Sequence, residues 1–166
     1  MRNLNQFLAD YGDSHQDPTN QLIHFICVPV ILVTTLGLLW MLPLGQWMGL
    51  EGELARWVNG ATLLGVLSAI VYLRLGVGVL ALMVGWFALS VAIITAIEGA
   101  GLPLGWICLG AWVAAWIVQV YGHKVEGKKP SFVDDIIFLL IGPIFVSVEV
   151  AAKLGLPVPQ HVVKSS

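Results

Sequence analysis

The chain has 166 residues, 58% of them hydrophobic and 11% charged, with a mean hydropathy of +0.87. Soluble domains carry about a quarter charged residues, so this composition excludes one and points to an integral membrane protein. A formal charge of -2 with eight scattered Lys and Arg leaves no extended basic face, which excludes nucleic acid as a partner.

The N-terminal twenty residues have no continuous apolar stretch before a small-residue cleavage site, so no removable signal peptide is expected. Asp17-Pro18 is a helix start, with Asp as cap and Pro at the first helical position. Five apolar runs follow, at Leu22–Leu42, Val58–Leu75, Gly76–Ile97, Leu102–Val120 and Ile136–Leu154, each near the roughly 20 residues that span a bilayer. The expected fold class is therefore an all-α polytopic membrane helical bundle of about five hydrophobic segments. It forms one membrane-embedded domain over 1–156, with a polar tail over 157–166.

Several local features qualify that plan. Pro29 lies inside the first run and predicts a kink. Pro43 and Gly49-Leu-Glu-Gly-Glu53 form the next connection, Arg74-Leu-Gly76 a very tight one, and Gly99–Pro103 another turn. Gly142-Pro143 near the middle of the fifth run is expected to kink it, break it or make it re-entrant. Trp40, Trp47, Trp57 and Trp106 lie near segment ends, as interfacial anchors do, whereas Trp86, Trp112 and Trp116 are deeper and are read as packing. Cys27 and Cys108 sit in apolar runs as small hydrophobes.

Three of the four histidines fall in two polar islands, Tyr11-Gly-Asp-Ser-His15-Gln-Asp-Pro-Thr-Asn20-Gln-Leu-Ile-His24 and Gln119-Val-Tyr-Gly-His123-Lys-Val-Glu126-Gly-Lys-Lys-Pro130. Four expected crossings separate them, so both reach one membrane face. A cytoplasmic N-terminus places Arg2, Arg74, Lys124, Lys128 and Lys129 inside and Arg56, Lys153 and Lys164 outside, which the positive-inside rule favours.

Imidazole is the commonest protein metal ligand. His15 and His24 are out of phase on one straight helix, but the Asp17-Pro18 break lets His15 fold back over the helix that carries His24. Asn20, four residues before His24, shares its face and is a partner that fixes the imidazole. Gly122 ends the fourth helix, and His123 and Glu126 come together if a turn persists. Two or three imidazoles with a carboxylate leave open positions on a metal, as in non-haem iron sites.

The plainer alternatives are solvated interfacial histidines, Asp134-Asp135 as a helix cap, and Lys128 and Lys129 against lipid head groups or a substrate carboxylate. His161 is read as exposed, Glu98 as interfacial, and Glu149 as either solvated or a partner of the site. A small membrane transporter or channel, with Glu149 and a broken fifth segment as its path, is the alternative function. A haem held by His24 and His123 is a third.

The stretches YGDSHQDPTNQLIHFICVP and QVYGHKVEGKKPSF, with FLLIGP behind them, resemble the membrane-bound 2-hydroxy fatty acid dioxygenase family. That resemblance implies Fe(II)-dependent alpha-oxidation, in which a 2-hydroxy fatty acid and dioxygen give the acid one carbon shorter. It implies His15, His24 and His123 as metal ligands and catalytic residues. Asn20 and Glu126 are next, at the metal or behind its ligands, with Lys128, Lys129 and Glu149 as further site or substrate residues. The implied partners are a lipid substrate, dioxygen and the membrane; the implied setting is a bacterial inner membrane with the metal on the cytoplasmic face.

Overall fold

The computed structural model describes residues 3–129 and 137–156, and among them every regular element is a helix. The order is α1 (Leu4–Asp13), α2 (Pro18–Trp40), α3 (Leu44–Trp47), α4 (Gly52–Trp57), α5 (Gly60–Leu75), α6 (Val77–Gly99), α7 (Leu104–Glu126) and α8 (Phe138–Lys153). Asp134, Asp135 and the tail with His161 lie outside the described residues.

Each of the five apolar runs lies largely on one helix, but the helix lengths differ from expectation. By length and composition, α2, α6 and α7 are long and apolar enough to cross a membrane. By contrast, α5 and α8 have 16 residues each, or about 24 Å of helix, less than the hydrocarbon core requires. Large apolar side chains face outward along these helices, including Leu63, Val66, Ile70, Val77 and Ile117. Helices apolar all round belong in lipid or in a large core.

Two prolines inside apolar runs, Pro29 expected to kink the first and Pro143 to kink, break or turn back the fifth, both lie within continuous helices. α2 runs through Pro29, and α8 runs unbroken through Gly142-Pro143. A broken fifth segment is thereby corrected: Pro143 lies in the second turn of α8, where only its own N–H is missing, and Ser147 Oγ donates to its carbonyl at 2.7 Å.

The chain divides into two compact units, Met1–Pro29 with Ala115–Ser166, and Val30–Ala114. In the second, Leu36, Trp40, Ala61, Ile94, Leu104 and Cys108 form the core. Cys108 packs as a small hydrophobe so closely that a methyl group on Gly37 would lie 2.4 Å from its Sγ. Trp40 is buried there, edge-on to Trp57 at 5.3 Å, and so is a core residue instead of an interfacial anchor. Trp47, Trp57 and Trp106 are exposed as expected. Gly76, at φ 138°, joins α5 to α6 in a single residue, a backbone state open to glycine. Arg56 and Glu98 pair at 3.3 Å on the surface, an interaction worth little.

The first unit holds both polar islands. Here α1, which the apolar runs did not announce, begins with a capping box between Asn3 and Gln6. Its apolar face presents Phe7, Leu8 and Tyr11, and Phe7 meets Phe138 of α8 edge-on at 5.6 Å. Within α8, residues 141–146 are all buried.

Candidate metal centre

Asp17 Oδ1 accepts from the backbone N–H of Thr19 at 2.7 Å and of Asn20 at 3.3 Å, which starts α2 as the Asp-Pro pair predicts. The chain before it turns back, so that His15 lies over the first turns of α2. His15, His24 and His123 are 1%, 2% and 6% exposed, and one ring nitrogen from each lies within 4.8 Å of the others. Ring centroids are 4.1 Å apart for His15 and His24, 5.1 Å for His15 and His123, and 5.0 Å for His24 and His123. Metal–imidazole bonds of roughly 2 Å make such a set able to share one ion.

The hydrogen bonds define which nitrogens are free. His15 Nδ1 donates to the Tyr11 carbonyl at 2.6 Å, and His24 Nδ1 donates to the Asn20 carbonyl at 2.9 Å. A carbonyl only accepts, so each Nδ1 carries the hydrogen, and in the neutral ring each Nε2 carries a lone pair. Those two Nε2 atoms face each other at 2.8 Å. Two acceptors at that distance repel unless a proton or a metal cation lies with them. Burial pushes the His15 pKa down to about 4, so a proton is disfavoured near neutrality. His123 Nδ1 is buried with no hydrogen-bond partner among the described residues. Three buried imidazoles with lone pairs to satisfy fit a divalent metal.

Packing orients these rings. Tyr11 stacks flat on His15 at 4.1 Å and meets His24 edge-on at 6.3 Å, and Phe145 of α8 lies 5.8 Å from His15. The Tyr11 hydroxyl comes so near α8 that a methyl group on Gly142 would lie 3.2 Å from it. Burial raises the Tyr11 pKa, so the phenol stays protonated.

The remaining predicted residues surround the centre in ways spacing did not reveal. Asn20 does not hold His24 with its side chain; its backbone carbonyl does so. Its carboxamide donates to Glu126 Oε2 at 3.2 Å and more weakly to the Ser14 carbonyl at 3.4 Å. Glu126 is outside the three-histidine cluster, because its carboxylate accepts from the backbone N–H of Gln16 at 2.9 Å and of Asp17 at 2.8 Å. It ties the last turn of α7 to the loop that carries His15. Lys128 Nζ, at an exposed position, donates to the carbonyl of Asp13, the last residue of α1. Lys129 follows it at an exposed position. Glu149 is buried on α8, so it is not simply solvated.

Gly122 does not end the fourth helix. α7 continues to Glu126, and Gly127, at φ 73°, follows its last turn. Gly122 is instead where α7 touches α2: a methyl group there would lie 2.5 Å from Asn20 Oδ1 and 3.2 Å from Ile23. Sequence reasoning missed this contact, the Glu126 clamp and the buried Gln119 on α7; glutamine inside an apolar run was the available signal for the last.

The family described as "Mpo1-like: 2-hydroxy-palmitic acid dioxygenase Mpo1-like" matches residues 1–154. The chain belongs to the Mpo1-like family. It is 28% identical over 159 residues to a Saccharomyces cerevisiae protein named 2-hydroxy-palmitic acid dioxygenase MPO1, with 93% of this chain and 83% of the yeast protein covered. No solved structure matches the chain. Of two further readings raised by the sequence, the transporter is not favoured by this family membership, and the haem does not fit the histidine geometry. The break in the fifth segment, one part of the transport path, is absent from α8. A haem between His24 and His123 requires room for a macrocycle where three imidazoles already crowd within 4.8 Å.

Proposed function

We propose that this Mpo1-like protein is an Fe(II)-dependent dioxygenase that converts a 2-hydroxy fatty acid to the acid one carbon shorter. The observation that carries the reading is the pair of Nε2 lone pairs of His15 and His24 facing each other at 2.8 Å with His123 beside them, in a chain of this family. In the balanced reaction the hydroxy acid loses its carboxyl carbon as carbon dioxide, the former C2 becomes the new carboxyl carbon, and dioxygen is reduced by four electrons with formation of one water.

His15, His24 and His123 hold the ion. Bound there, ferrous iron supplies the electron-transfer chemistry with dioxygen and open positions for a hydroxy acid. The protein's own residues do the rest. The Tyr11 and Asn20 carbonyls hold the two ring N–H groups, fix the tautomers and raise the basicity of the opposite nitrogens. Glu126 and Lys128 hold the loop that carries His15. Phe145 and the Tyr11 ring exclude water from one side of His15. Glu149 is a further polar group of the same unit, assigned to the substrate side, and Lys129 is the residue for a substrate carboxylate at the surface.

In this reading the five apolar helices sit in a bilayer, a bacterial inner membrane with the histidines at its cytoplasmic face, and the acyl tail reaches the site from lipid. The outward apolar side chains along these helices support the membrane placement. The test is turnover by purified, iron-loaded protein: 2-hydroxypalmitate should yield the C15 acid, with dioxygen consumed. Absence of that product, with metal bound, would refute the reaction.

A further inference from the structure

Gln119 lies one turn before His123 on α7 and shares its inward face with Ala115 and His123, all three buried. It is the polar residue in an otherwise apolar stretch between Ala114 and Tyr121 that also contains Trp116. Its side chain is only 6% exposed, and its Oε1 is fully buried with no hydrogen-bond partner among the described residues. A buried acceptor left unpaired is destabilising, and a leucine of similar size would avoid that cost. Polar side chains inside membrane-crossing helices are costly enough that function is their default explanation.

Helix geometry places this carboxamide beside the histidines. Residues four apart are about 6 Å apart along the axis, and helical side chains lean toward the N-terminus. The His123 imidazole therefore leans over the turn that carries Gln119. Asn20 Oδ1 is likewise without a hydrogen bond, but the close approach of Gly122 covers it and leaves no space there for a ligand.

The chemistry of the unpaired atom selects its partner. A carbonyl oxygen calls for a donor. An ionised fatty acid has none, since its carboxylate only accepts, whereas an ionised 2-hydroxy fatty acid has one, the hydroxyl at C2. We propose that Gln119 is the specificity-determining residue of this site, its Oε1 accepting a hydrogen bond from the substrate's 2-hydroxyl and so distinguishing 2-hydroxy acids from plain fatty acids. The inference rests on the functional reading above and adds to it the residue that enforces substrate class. A pocket built to pair a substrate hydroxyl rejects the analogue that lacks it, because the pocket's own polar group is then left unsatisfied.

The experiment compares iron-loaded wild-type protein with Gln119→Leu and Gln119→Met, the latter keeping length and flexibility without the amide. Dissociation constants for 2-hydroxypalmitate and palmitate are measured without dioxygen, beside iron content and thermal midpoint. The wild type should prefer the hydroxy acid. Both variants should retain iron and an equal or higher midpoint, bind palmitate as before, and lose the preference by about tenfold or more; turnover should fall mainly through KM. An unchanged ratio of the two constants in a variant that keeps its iron overturns the role of Gln119 while leaving the dioxygenase reading intact. A wild type that neither binds nor shortens 2-hydroxypalmitate overturns both. If Gln119→Leu fails to fold, the Gln119→Met ratio decides alone, and loss of iron from both variants assigns Gln119 to holding the metal site and refutes a role in substrate choice.

Discussion

Gly122 and Asn20 meet so closely that a single methyl group would not fit between them: a Cβ on Gly122 would lie 2.5 Å from Asn20 Oδ1. Since Asn20 also supplies the carbonyl that holds His24 and the amide that reaches Glu126, this contact ties α7 to the segment of α2 that orients His24. Gly122→Ala should therefore destabilise the protein by about 1–3 kcal/mol, the usual cost of overpacking, and weaken iron binding. Thermal unfolding and iron titration check both effects. An alanine variant with wild-type midpoint and affinity would show that the helices separate freely there.

Glu126 gives a prediction of a different kind, because it holds the His15 loop without belonging to the histidine cluster. Glu126→Gln removes the negative charge that two backbone N–H groups and the Asn20 amide share. Iron affinity should drop by about tenfold to a hundredfold, as for other residues behind a metal ligand, with one iron per chain still bound at saturation. Lys128→Ala, which removes an exposed contact to the Asp13 carbonyl, should have a smaller effect. A Glu126→Gln protein that binds no iron at any concentration would make the carboxylate a direct ligand.

The buried His15 makes the metal-free protein sensitive to acid. Its pKa is lowered from 6.5 to about 4 by burial, so between those values the unfolded chain takes up a proton that the folded chain does not. Stability should be independent of this group above pH 6.5 and should fall as pH drops from 6.5 toward 4, with a slope approaching one proton. Midpoints of metal-free wild type and His15→Gln across that range check it: the variant should show the shallower decline. Identical slopes would mean that His15 is already protonated in the folded protein.

Much of this arrangement was legible from residue order. Asp17-Pro18 announced the start of α2, and the break it makes is why His15 and His24, nine residues apart, can meet. The meeting of the two islands was likewise expected, and His15, His24 and His123 do come together. What escaped was set by contacts that no local pattern encodes. Gly122 suggests a helix end because glycine is common there, yet its role is to let Asn20 approach. Glu126 reads as a residue at the metal or behind its ligands, but nothing local shows that its oxygens accept from backbone N–H groups 110 and 109 residues away in sequence. Gly142-Pro143 suggests a break in a long segment, but α8 begins at Phe138, so the proline falls early enough for the helix to continue.

The most direct measurement of the central claim is metal content and X-ray absorption of protein purified without chelator, for wild type and for His15→Ala, His24→Ala and His123→Ala. The three-imidazole centre predicts one iron per chain, absorption fine structure that requires about three histidine rings, and a large loss of iron in each variant. Wild-type protein that shortens 2-hydroxypalmitate at full rate while free of metal, or variants that all keep their iron, would contradict it.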